Sequence, residues 1–143
     1  MPAANKFNDF VNQKNRAKHD WSTHAFKIAL TNTAPVATNS ILSDIVQIAA
    51  GNGYTTGGNA LTGITLGMAG GTLTVGAAQV VFTGVTAAMG TFRYYVLYND
   101  TTATPVKPLV MWWDHGSAVT LNPGDTFTVQ FNGSNPGTIF TDA

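Results

Sequence analysis

The side chains able to carry chemistry are few. They comprise three histidines (His19, His24, His115), five serines (Ser22, Ser40, Ser43, Ser117, Ser134) and seven acids, all aspartate. The chain has no cysteine, which removes disulfides, thiolate zinc sites and cysteine nucleophiles. Local metal ligation calls for a pair such as His-x-His or His-x-x-x-His, and neither occurs. Asp114 and His115 are neighbours on a strand-like run, so they point to opposite faces and cannot readily share an ion. No serine lies in a Gly-x-Ser-x-Gly elbow. Hydrolysis of sugars would need two of the aspartates, with no glutamate to serve as a raised-pKa acid. The glycine-rich run Gly51–Gly58 has no lysine to hold a phosphate and precedes a strand-like segment rather than a helix. A non-enzymatic protein without metal or cofactor is therefore expected.

Aromatic and charged residues remain. Tyr94, Tyr95, Tyr98, Trp112 and Trp113 fall on two neighbouring strand-like runs. Because strand residues alternate faces, Trp112 and Trp113 are expected to place one ring in the core and one outside. An outer tryptophan flanked by tyrosines could stack on a sugar or anchor a protein contact; both could equally fill a core. Residues 1–27 carry Lys6, Lys14, Arg16, Lys18 and Lys27 against Asp9 and Asp20, a balance of +3, and residues 28–143 carry −3. This reads either as a solvated helix face or as a basic arm that docks on an acidic neighbour. It is too sparse for a nucleic-acid surface.

The elements that must position these groups are legible from periodicity. Phe7, Phe10, Val11 and Lys14 follow helical spacing and predict a short helix that must pack on something. From Ala25 the period becomes 2. Phe26–Thr31 reads as a half-buried strand, and Ile41–Ile48 as a short helix or turn leading to an edge. Leu61–Met68, Thr72–Val75 and Gln79–Thr86 read as short strands. Thr91–Tyr98 reads as a central strand, with Phe92, Tyr94, Val96 and Tyr98 on one face and Arg93, Tyr95 and Leu97 on the other. Leu109–Asp114, Ala118–Leu121 and Thr126–Phe131 complete the set, the last entered by the turn Asn122-Pro123-Gly124-Asp125. The expected fold is all-β: a jelly-roll-like β-sandwich of about eight short strands with a short N-terminal helix. It divides into an N-terminal helix and basic arm over 1–20 and a sandwich over 21–143.

The size of 143 residues suits one domain, and only 10% of residues are charged, so Thr, Asn, Gly and Ala must cover the surface. No apolar run reaches membrane-spanning length and no leader pattern opens the chain, so neither membrane nor nucleic acid is expected as a partner. The sequons at Asn99 and Asn132 are therefore not expected to be used.

Several segments together resemble a widespread family of small structural proteins of tailed bacteriophages and prophages. They are Phe26–Pro35, Ile48–Tyr54, Phe92-Arg93-Tyr94, Tyr98–Thr101, Trp112-Trp113-Asp114 and Gly124–Val129. The likeness runs from the Phe7–Phe10 helix to Phe131. It departs in the Gly-, Ala- and Thr-rich middle, 61–80, and at Met89-Gly90-Thr91, where the family often has Gly-Pro. The resemblance implies a virion structural role with no catalytic residues to carry over. In the first form of that role the chain is a head decoration (cement) protein, assembled in the host cytoplasm. It would be a homotrimer bound to the major capsid protein on the outer head lattice. Lys6, Phe7, Phe10, Val11, Lys14, Arg16, Lys18, Tyr95, Trp112 and Trp113 would form its contacts, and removing residues 1–20 would leave a folded body. The alternatives are a tail, neck or baseplate component, or a carbohydrate- or receptor-binding module built on Trp112 or Trp113.

Overall fold

The computed structural model describes residues 2–143. Among them are ten strands: β1 (Asn5–Lys6), β2 (Phe26–Thr31), β3 (Asn59–Ala60), β4 (Thr65–Ala69), β5 (Thr72–Ala77), β6 (Val80–Thr83), β7 (Phe92–Asn99), β8 (Leu109–Val119), β9 (Thr126–Val129) and β10 (Gly137–Asp142). One α-helix, α1 (Asn8–Asn15), follows β1, and short 3₁₀ turns occupy Leu42–Asp44 and Phe131–Gly133. The protein is all-β with a short N-terminal helix. Its strands form antiparallel sheets in the orders β1-β8-β7-β2-β3, β10-β5-β4 and β6-β9.

The five-stranded sheet is buried on both faces. On one side Phe26, Ile28, Leu30, Tyr95, Leu97 and Trp113 meet Val75, Ala77, Val80, Phe82, Val129 and Ile139 of the two smaller sheets. On the other, Ala29, Val96, Tyr98 and Leu109 are covered by Phe7, Leu42 and Ile45 from irregular chain. Phe26–Thr31 is thus a strand as expected, but not a half-buried one. Its alternate residues enter two different cores, and only Lys27 is partly exposed.

Two other expectations change for a common reason. The ladder between β7 and β8 shifts register between Phe92 and Tyr94, where Phe92 pairs with Val119 and Tyr94 with Asp114. The shift places Phe92 in the same core as Tyr95 and Leu97 instead of with Val96 and Tyr98. It also lets Leu109–Asp114 and the run after it join as one strand, with His115 to Ala118 exposed. The strand β10 was not expected at all.

Phe7 caps the start of helix α1 while itself extended (φ −72°, ψ 143°), and it is buried. Asp9 in the first turn favours the positive helix end and accepts from the Asn12 and Gln13 amides at 2.9 and 2.8 Å. Ala17 at φ 58° ends the run. The helix buries Phe10 and Gln13, whereas Val11, expected on the apolar stripe, is 41% exposed. The helix packs against β8 of its own chain. With Phe7 and Phe10 in the two cores and β1 paired to β8, residues 1–20 contribute to the body, and their removal would open both cores.

Candidate functional site

The residues expected to make contacts separate into two groups. Phe7, Phe10, Tyr95 and Trp113 are core, not surface. Tyr95 lies over Trp113 with ring centroids 5.3 Å apart and planes 12° from parallel, and Trp113 is 2% exposed. Trp112 is half-buried against Phe7 at 4.5 Å, so neither ring stands free as an outer platform. Lys6, Val11 and Arg16 are exposed, while Lys14 and Lys18 are half-buried.

Lys6, Val11 and Lys14 border a groove of about 280 Å³ between α1, the first two strands of the large sheet and β10, which Arg16 and Lys18 do not line. Phe10, Val11, Met111, Ile139 and Phe140 supply its apolar lining, Lys6 a cation with no ion-pair partner among the described residues, and Lys14 with Asp142 an ion pair of 2.7 Å. A second concavity of about 310 Å³ adjoins it through Ala4 and β10, lined by Pro2, Trp113, Phe131 and Asn132 among others. The groove exists because β1 and β10 end two different sheets and no strand bridges them. A long apolar side chain flanked by an acidic group would fit it: the floor buries carbon and Lys6 answers charge.

The basic character of residues 1–27 is partly neutralised within the chain. Lys14 pairs with Asp142, and Lys27 reaches Asp100 at 3.3 Å, where Lys107 also lies at 3.3 Å. The acidic neighbour of these two cations is the body of the same chain. On β7 and β8, Arg93 holds Asp114 through two bonds of 2.8 and 3.0 Å, which keeps that carboxyl below the ordinary aspartate range.

A polar cluster that sequence reasoning did not find ties the helix-to-strand junction to the end of β7. The Asn99 amide nitrogen donates to the Lys18 carbonyl at 3.2 Å and faces Nδ1 of His19 and of His24 at 3.2 and 2.9 Å. The Asn99 carbonyl accepts from the backbone of Thr101 and Thr102. His19 sits beside Phe10 and Phe26, its Nε2 has no partner, and burial followed by repulsion from His24 lowers its pKa from 6.5 to about 4. Asp20 accepts from the Ser22 and Thr23 hydroxyls, which lower its pKa to about 2. These contacts order a junction. Among the described residues no group of three histidines or acids gathers around a point that could hold a metal ion. Local sequence carried no signal for Asn99 beyond its place in a turn.

The glycine-rich run is a clamp on the sheet. Gly57 N donates to the Gln47 side chain at 2.7 Å, as does the Tyr54 hydroxyl at 2.6 Å, and the Tyr98 hydroxyl donates to the Gly57 carbonyl at 2.6 Å. Gly58, at φ 79°, lies so near β2 that an added Cβ would fall 1.7 Å from the Ile28 carbonyl oxygen. Burial pushes the Tyr54 hydroxyl up to about 12 and Tyr98 higher still, so both stay protonated donors.

Compared with protein-family models, curated proteins and solved structures, the chain gives no match.

Proposed function

We propose that the protein is a structural component of a tailed-phage virion, and specifically a head decoration protein that binds the major capsid protein on the outer lattice as a homo-oligomer, the trimer being the first symmetry to test. The observation that supports this most is the groove beside α1. An apolar floor of Phe10, Val11, Met111, Ile139 and Phe140 next to the exposed cation Lys6 suits insertion of a protein segment, not turnover of a small molecule. The segments that carry the phage resemblance also fall on the frame of the fold. Phe26–Pro35, Phe92–Tyr94, Tyr98–Thr101 and Trp112–Asp114 contribute three adjacent strands of the large sheet. The mechanism is burial repeated over many copies: each contributes a modest binding energy, and the shell gains by avidity.

Two measurements test this. The ratio of this protein to the major capsid protein in purified virions should be of similar order; a ratio of a few hundredths would instead mean a ring at the neck or tail. The double variant Lys6→Glu, Val11→Asp changes exposed groove residues and should fold normally, yet fail to bind heads that lack the protein. Undiminished binding by that variant would remove the groove from the reading.

A further inference from the structure

In the hairpin β4–β5 the inner strand β5 pairs with β10 and enters the larger core, whereas the outer strand β4 lies at the surface. All five residues of β4 are exposed, and among the described residues no strand lies beside its outer edge. Leu66 pairs with Val75 and Met68 with Leu73, and directly opposed residues share a face of a sheet. Val75 and Leu73 belong to the larger core, so Leu66 and Met68 point toward the core side but lie beyond it, 45% and 72% exposed. Two other sheet edges are guarded. Lys6 stands on β1, while β10 has a register shift and ends in Asp142. The edge β4 has regular pairing and no proline, and no charged residue or histidine occurs anywhere from Ile45 to Phe92. Such an edge is a template for another strand.

We propose that this edge pairs with the same edge of a second copy of the chain, antiparallel across a two-fold axis at Gly67. That axis places Leu66 of each copy opposite Met68 of the other, Thr65 opposite Ala69, and Gly67 opposite Gly67. Both large apolar side chains then gain cover on one face, and two three-stranded sheets become one of six strands. The charge pattern favours self-pairing. A two-fold contact sets the edge against a copy of itself, so an edge of one charge sign would repel its partner, and this one carries no charge to repel. The same neutrality leaves nothing with which to select a charged partner. Five paired residues bury less than the roughly 800 Å² per partner of a standard interface, so the contact is concentration-dependent. It depends on the sheet edge alone and is independent of the virion reading. Trimers made through another face would be linked in pairs by it.

The absence of native cysteine makes a direct test available. Antiparallel neighbours have Cα atoms about 4.5–5.5 Å apart, within disulfide reach. Gly67 has open space where a side chain would go, so Gly67→Cys should fold. Under mild oxidation Gly67→Cys should form a covalent dimer at concentrations where Ser117→Cys, exposed on β8 of the large sheet, stays monomeric. Adding Met68→Lys should cut the yield several-fold, and light scattering of the unmodified chain should show the mass double as concentration rises. Equal cross-linking of the two cysteine variants, or an association unaffected by Met68→Lys, would overturn the proposal.

Discussion

Phe7 and Met68 are both large apolar residues at the margins of sheets, yet Phe7 is fully buried and Met68 is 72% exposed. The margin at Phe7 is closed by the chain itself. Phe7 N bonds to the Val110 carbonyl, Asn8 N to the Ala37 carbonyl, and the side chain enters a core with Leu42, Ile45 and Tyr98. The margin at Met68 has neither covering chain nor charge. The difference separates two kinds of edge: one is sealed in cis by the chain's own N-terminal segment, and the other, left open, is the edge proposed to pair in trans.

The sharpest way to break this contrast is Phe7→Ala. Loss of a fully buried phenylalanine should cost about 3–5 kcal/mol, read as a lower urea midpoint. A cost below about 1 kcal/mol would mean that the N-terminal edge is loosely held after all. Acid comes next. The His19 pKa is depressed from 6.5 to about 4, so the fold holds this ring neutral. Its contribution is complete above pH 6.5 and is lost as pH falls from 6.5 toward 4, a loss on the order of 2 kcal/mol. Denaturation curves between pH 4 and 7 should show that slope, and His19→Gln should flatten it. An unchanged slope in the variant would assign it to other groups. Tyr98→Phe removes the buried donor to the Gly57 carbonyl and should cost about 1–2 kcal/mol by the same measurement. The smallest effect belongs to the open edge: Met68→Lys should alter monomer stability by no more than about 0.5 kcal/mol while it cuts pairing several-fold. A larger cost would show that Met68 already has a partner within the chain.

Much of the frame could be read from residue order. The bounds of β2 follow its alternation, β7 was placed to within a residue, and the helix, the 3₁₀ turn near Leu42 and the glycine loop were all expected. What escaped the sequence arises where the period slips. Phe92 changes core because the β7–β8 register shifts, and no local pattern records a shift in a partner strand. In β10, Ile139 and Phe140 are adjacent, not alternate, and the ladder shifts between Thr138 and Phe140, which hid the strand. The candidate contacts were half legible. Exposure of Lys6, Val11 and Arg16 fits a helix surface, whereas burial of Tyr95 and Trp113 depends on sheets formed by distant chain. The Asn99 cluster joins side chains some eighty positions apart, beyond any spacing rule.

The order in which strands are paired has a kinetic side. β2 pairs with β7, β5 with β10 and β6 with β9, each across a long stretch of chain that holds other strands, whereas β4 and β5 are joined by a turn of two glycines, Gly70 and Gly71. Closing long loops slows folding, so the β4–β5 hairpin can form while most of its surroundings are still unstructured. During that interval its uncharged edge meets other nascent chains before the rest of the molecule is in place. Refolding yield should therefore fall with protein concentration, and fall less for Met68→Lys.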